Sequence, residues 1–142
     1  MNKYLATSCL WFIIFLAGCQ SINYGLKEKT NVFVIDKEIT EIKIVDWMTE
    51  EQIAEITDHD FIQKLTNELT NADCSSTANM DFESPDYKLV LKNGEEVVYE
   101  MGYYQDAMNL GVIGRYWDYQ KDCIYAVTLK LPTGRCVDST DK

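Results

Sequence analysis

A chain of 142 residues that is 46% hydrophobic and carries a formal net charge of -10 is long enough to close one core and too short for two comfortable domains. That excess of carboxylates repels nucleic-acid phosphates and anionic lipid head groups, so no nucleic-acid partner is expected. It keeps a domain soluble and can draw cations toward it.

The chain opens with one positive charge, Lys3, ahead of an apolar run from Tyr4 to Ala17 that Thr7 and Ser8 interrupt. A spanning helix needs roughly 20 apolar residues, and this run is shorter. A basic start, a short apolar middle and small residues at its end describe a secretory signal peptide over residues 1–18. Leu16-Ala17-Gly18-Cys19 resembles the lipobox of bacterial lipoproteins, with an aliphatic residue three positions before the cysteine and two small residues between. The resemblance implies cleavage before Cys19 and a diacylglycerol group on its sulfur. Two acyl chains, at about 0.8 kcal/mol per buried methylene, hold a protein on a bilayer far better than one. The expected location is therefore the extracytoplasmic face of a cell membrane. Cleavage would leave 124 residues and, with Lys3 gone, a net charge of -11.

Of five cysteines, Cys9 leaves with the signal and Cys19 takes the lipid, so Cys74, Cys123 and Cys136 remain. A disulfide is permitted outside the cytoplasm, yet three thiols leave one over. No two of them form a C-x-x-C motif, and they are expected either to bridge as Cys123–Cys136 or Cys74–Cys136 or to serve as small buried hydrophobes.

Residues 19–30 are polar and read as a tether to a domain at 31–132, with a tail at 133–142. Within the domain, Ile42 and Ile44 flank Lys43 in the period-two pattern of a strand with one wet face, and "EEQIAEI" reads as a second short strand. Thr57 or Asp58 can cap a helix whose apolar stripe is Phe61, Ile62, Leu65, Leu69 and Ala72. Gln63, Lys64, Asn67 and Glu68 form its wet side, so it should lie on a sheet. "NADCSSTANMDFESPD" reads as a loop.

A hairpin follows. A three-residue loop Lys92-Asn93-Gly94, a type I turn plus bulge with Gly94 left-handed, pairs Leu91 with Glu95, Leu89 with Val97 and Tyr87 with Tyr99. It places Tyr87, Leu89, Val97, Tyr99 and Met101 on one face, whereas a two-residue Asn93-Gly94 loop sets carboxylates among leucines. One or two short strands are expected around Val112 to Trp117, and "CIYAVTLKL" as a last strand ending at Pro132. The expected class is α+β: a single small domain, mainly antiparallel sheet, with one packed amphipathic helix.

Ile56-Thr57-Asp58 at the helix start, Asn71-Ala72 at its end, Pro85-Asp86-Tyr87 opening the hairpin and Tyr125 in the last strand occur in a characteristic order. In that order the chain resembles the YhfM-like small lipoproteins of Gram-positive bacteria over about residues 38–131, plus the lipobox. The stretch "MGYYQDAMNL" departs from the simpler end of that hairpin strand. The resemblance implies location and fold; it carries over no catalytic or binding residue.

Three constellations could carry chemistry. His59 is the only histidine, flanked by Asp58 and Asp60, but successive helical residues point about 100° apart, so capping is the expected role. Asp81, Glu83 and Asp86 crowd a loop where oxygens could grip Ca²⁺, without the glycine and terminal glutamate of an EF-hand. Tyr103, Tyr104, Tyr116 and Trp117 are candidates for an exposed ligand patch, since aromatic rings give rigid area with a polar tip. Tyr99 and Tyr125 read as structural. "LPTG" at Leu131 to Gly134 lacks the extra residue and apolar tail of a sortase signal, and is a turn.

There is no G-x-S-x-G elbow, no glycine-rich phosphate loop and no H-E-x-x-H. The expectation is a membrane-anchored surface lipoprotein with a non-catalytic binding or interaction role, no cofactor, and a cell-envelope protein or small ligand as partner. The alternatives are a cation- or small-ligand-binding module and a carboxylate-dependent cell-wall hydrolase.

Overall fold

The computed structural model describes residues 32–132. The signal segment 1–18, the lipobox, the tether 19–30, Cys136 and the tail 133–142 lie outside the described residues. The elements are β1 (Glu41–Asp46), β2 (Gln52–Ile56), α1 (His59–Asn71), β3 (Cys74–Ser76), β4 (Tyr87–Asn93), β5 (Glu96–Asn109), β6 (Ile113–Asp118) and β7 (Cys123–Tyr125). All pairings are antiparallel, in one seven-stranded sheet ordered β2-β1-β4-β5-β6-β7-β3. This is the expected α+β class, with one helix among the described residues, and every contact described below is made within 32–132.

The two edges are neighbours along the chain. β2 is one edge and β3 the other, and α1 carries the chain between them. Its start is fixed by Asp58, whose carboxylate accepts from the backbone amides of Asp60 and Phe61 at 3.0 and 3.1 Å. At the other end Thr66, Thr70 and Asn71 donate to carbonyls one turn back, and Ala72 leaves the helix in an extended conformation. The buried stripe is Ile62, Leu65 and Leu69.

The face that joins this stripe is set by alternation. Ile42 and Ile44 stand opposite Leu91 and Leu89, and these opposite Tyr99 and Met101. The row continues through Tyr103, Tyr116 and Tyr125, each paired across strands with the next. These residues and the helical stripe form one core cluster, into which Phe33 also packs. Each fully buried leucine in it contributes about 1.5–3 kcal/mol.

Four expectations are corrected. The hairpin is closed by a two-residue Gly94-Glu95 loop between Asn93 and Glu96, with Gly94 at φ +55°. A register shift between Leu91 and Lys92 then pairs Leu91 with Tyr99, Leu89 with Met101 and Tyr87 with Tyr103. Val97 is left in solvent, 51% exposed. The extra residue restores Tyr99 and Met101 to the core face without placing a carboxylate there.

The segment read wholly as a loop begins with strand β3. The last strand is shorter than expected. After Tyr125 a tight turn, Val127 N–H to Tyr125 carbonyl at 2.7 Å, leads into 127–131, which side chains of β5 and β6 hold. That turn brings the Tyr125 carbonyl within 2.1 Å of where a Cβ on Gly114 would sit, so only glycine fits.

The disulfide is Cys74–Cys123, not a bridge to Cys136. Cys74 pairs with Tyr125 and Cys123 with Ser76, so the two cysteines are diagonal neighbours on one face, with Cα atoms 5.7 Å apart. The bridge staples a three-residue edge strand that few ladder bonds hold.

Two stability measurements follow. Asp58→Ala should lower the unfolding free energy by about 1 kcal/mol in urea, from the lost cap alone; a loss that added divalent metal restores would contradict the capping role. Replacing Cys74 and Cys123 together by alanine should cost roughly 2–4 kcal/mol, because the bridge closes a loop across 49 positions. An unchanged urea midpoint would show that the strand pairing suffices.

Candidate functional site

The sheet face turned away from α1 carries the molecule's aromatic surface. Strand alternation puts Trp117 there, opposite Gly102 on β5 and Ile124 on β7. Trp47 follows β1 and enters the β1–β2 turn, which Asp46 shapes by accepting from the amides of Met48 and Thr49 at 3.0 and 2.8 Å. Trp47 packs against Trp117 with ring centroids 6.2 Å apart, and Tyr119 meets both indoles at 5.6 and 5.9 Å.

Residues 77–86 fold across this face and are held at several points. The Trp117 indole N–H donates to Thr77 Oγ1 at 3.0 Å. A turn closed by Met80 N–H and the Thr77 carbonyl puts Asn79 at φ +68°, a position that favours Asn or Gly. Phe82 sets its edge on Trp117 at 5.3 Å. The Tyr104 hydroxyl donates to the Glu83 carbonyl, and Pro85 lies on Gly102 so closely that a Cβ there would meet the proline ring at 2.7 Å. Asp86 then bonds the Gln105 amide at 2.8 Å, returning the chain to the sheet.

Between this segment and the sheet lies an open groove of about 420 Å³. Trp47, Phe82 and Trp117 supply its aromatic wall; Asp81, Glu83 and Asp122 supply carboxylates. Lys88 stands outside it with its ammonium 5.9 Å from the Trp47 ring centroid and 3.7 Å from a Glu50 carboxylate oxygen.

A second cluster is built around a buried carboxylate. Asp118, 1% exposed, accepts from the amides of Gln120 and Lys121 at 3.1 and 3.0 Å and from the hydroxyls of Tyr99 and Tyr125. The Lys121 ammonium lies 3.8 Å from it and donates to the Tyr99 hydroxyl and the Val32 carbonyl. A buried carboxylate is tolerable only when saturated in this way. The hydrogen bonds of Asp118 tie β5 and β7 to the β6–β7 turn. Arg115 is equally committed: its guanidinium donates to the carbonyls of Tyr104, Gln105 and Thr128, pinning the wide bulge of β5 to the 127–131 segment.

The sequence-derived site residues divide accordingly. Tyr103, Tyr104 and Tyr116 do not form an exposed patch: they are at most 4% exposed. Tyr103 and Tyr116 face the core, where the Leu131 amide donates to the Tyr103 hydroxyl and the Tyr116 hydroxyl donates to the Leu129 carbonyl. Trp117 alone of that group reaches the groove.

His59 is exposed, 3.6 Å from Glu38 and 3.9 Å from Asp60, beside a cap that Asp58 makes. Asp81, Glu83 and Asp86 do not converge, since Asp86 is turned onto Gln105. Among the described residues no three His, Cys, Asp or Glu side chains are grouped to hold a metal ion. Trp47, Phe82 and Asp122 were not foreseen. The cue for Trp47 was its place just after an apolar strand and an Asp that can initiate a turn; nothing in the sequence pointed to the other two.

No protein-family model, curated protein or solved structure matches the chain. No helix among the described residues is long and apolar enough to cross a membrane.

The tyrosines report on this packing. Burial, then the hydrogen bond to Glu100, pushes the Tyr119 phenol up to about 12, and burial with the nearby Asp86 charge pushes Tyr104 up to about 12. Tyr99, Tyr116 and Tyr125 are raised as well, chiefly by burial. A phenol raised in the folded state stabilises it fully below the unfolded value near 10 and loses that contribution as pH climbs through the folded value. The urea midpoint should therefore fall between pH 10 and 12, with phenolate absorbance at 295 nm rising in step with unfolding. Phenolate signal that develops fully before unfolding would contradict the burial.

Proposed function

We propose that this chain is a lipid-anchored lipoprotein of the extracytoplasmic membrane face, whose domain works as a non-catalytic binding module through the aromatic groove. The groove carries the binding part of this reading. Large rings line an open concavity there, and its volume lies within the range of small-molecule sites. The buried carboxylate that could have served a hydrolase is instead saturated by hydrogen bonds within the fold.

The address rests on the sequence: the lipobox Leu16-Ala17-Gly18-Cys19 and the resemblance to YhfM-like small lipoproteins. The Cys74–Cys123 bridge supports it, because structural disulfides persist in oxidising compartments.

Fractionation tests the address. Cys19→Ser should move the protein out of the washed membrane fraction, as uncleaved precursor or as soluble protein, and full retention of a cleaved form on the membrane would overturn the anchor. Binding is tested by thermal melting of residues 20–142 against a panel of muropeptides, sugars and small amines. A ligand well above its dissociation constant must raise the melting temperature of the state it binds. The shift should disappear in Trp117→Ala, measured against that variant's own baseline; a shift that survives would move the site elsewhere.

A further inference from the structure

The lining of the groove restricts what it can hold. Its wall is lined by the rings of Trp47, Phe82 and Trp117, and its charged residues are all acidic: Asp81, Glu83 and Asp122. No lysine or arginine lines it, and among the described residues none pairs with these three acids. An anion would meet repulsion without a compensating positive charge. A divalent metal would lack a convergent ligand set.

Indole faces attract organic cations through the ring quadrupole, and carboxylates at the rim add to that attraction. The protein already uses this chemistry on itself, since Lys88 stands over the Trp47 ring. Its net charge of -10 draws cations from a distance as well.

We propose that the groove binds an organic cation, an ammonium or guanidinium group, with Trp47, Phe82 and Trp117 against its apolar surface and Asp81, Glu83 and Asp122 around its charge. This rests on the reading of the groove as the binding site and names the ligand class. The group can belong to a free small molecule or to a side chain of a peptide; the recognising chemistry is the same.

The tryptophans provide the readout. The chain has three, Trp11, Trp47 and Trp117, and residues 20–142 exclude Trp11, so tryptophan fluorescence excited at about 295 nm comes from the two groove residues. That protein is titrated at constant ionic strength with tetramethylammonium, with an arginine-containing tripeptide, and with sodium chloride and a neutral muropeptide as controls. A saturable change is expected with at least one of the two organic cations and none with sodium. Saturation by tetramethylammonium identifies a free alkylated cation as the preferred source, whereas saturation by the tripeptide alone identifies a peptide side chain.

The combined variant Asp81→Asn, Glu83→Gln and Asp122→Asn keeps the aromatic wall and should weaken that binding roughly ten-fold. These side chains are exposed, so its melting temperature should match the parent's. Cation titrations indistinguishable from sodium, or affinity unchanged in the triple variant, would overturn the proposal. If the neutral muropeptide saturates while the cations do not, the ligand class is wrong and the groove remains the binding site. If no member of the wider panel binds either, both readings fall.

Discussion

Asp118 sits where four parts of the chain meet, and its charge must be answered in place. Tyr99 reaches it from β5, Tyr125 from β7, and the amides of the β6–β7 turn complete its shell. Through Lys121 the same cluster holds the carbonyl of Val32, where the described chain begins, above the buried ring of Phe33. Removing one partner from such a set leaves a charge in a low-dielectric interior, which costs several times what an ordinary hydrogen bond contributes. The end of the sheet bearing β6 and β7 therefore depends on a polar centre inside an otherwise apolar core.

This centre lets the two faces of the sheet diverge. The α1 side is closed by Ile62, Leu65 and Leu69 and by a row of tyrosines, of which Tyr103 and Tyr116 find backbone partners for their hydroxyls. The opposite side is only part covered, by a segment held down by Pro85 on Gly102, by Tyr104 and by Asp86. A rigid sheet below and a pinned segment above keep a concavity open between them. Alternation along β6 assigns neighbouring residues to different work: Tyr116 to the core, Trp117 to the groove, Asp118 to the polar centre.

Local rules read the fold well where one element settles the matter. The cap at Asp58, the helical stripe and the alternation of Ile42 with Ile44 each depend on residues close in sequence. The hairpin register failed because the bulge expected in the turn at Gly94 lies inside the ladder, where the pairing shifts between Leu91 and Lys92; the cost of exposing Val97 is smaller than that of burying Glu95 or Glu96. The disulfide failed because cysteine spacing does not reveal which edge strand the helix delivers. Tyr103, Tyr104 and Tyr116 were misjudged for the same reason, since the segments that cover them lie far away in the chain. Of the groove, Trp117 and two of its acids were legible as isolated residues. Their assembly with Trp47 and Phe82 was not, because a concavity between a sheet and a crossing segment has no periodic signature.

The Cys74–Cys123 bridge also changes what a proteolytic cut can do to the domain. The exposed residues 78–81 at the rim of the groove lie inside the loop that it closes. A single cut there leaves two pieces joined covalently, with Trp47 on one and Trp117 on the other, each still in its strand neighbourhood. Nicking would show on a reducing gel and leave the mass of the folded particle unchanged but for the added water. A cut at this exposed rim thus releases neither piece.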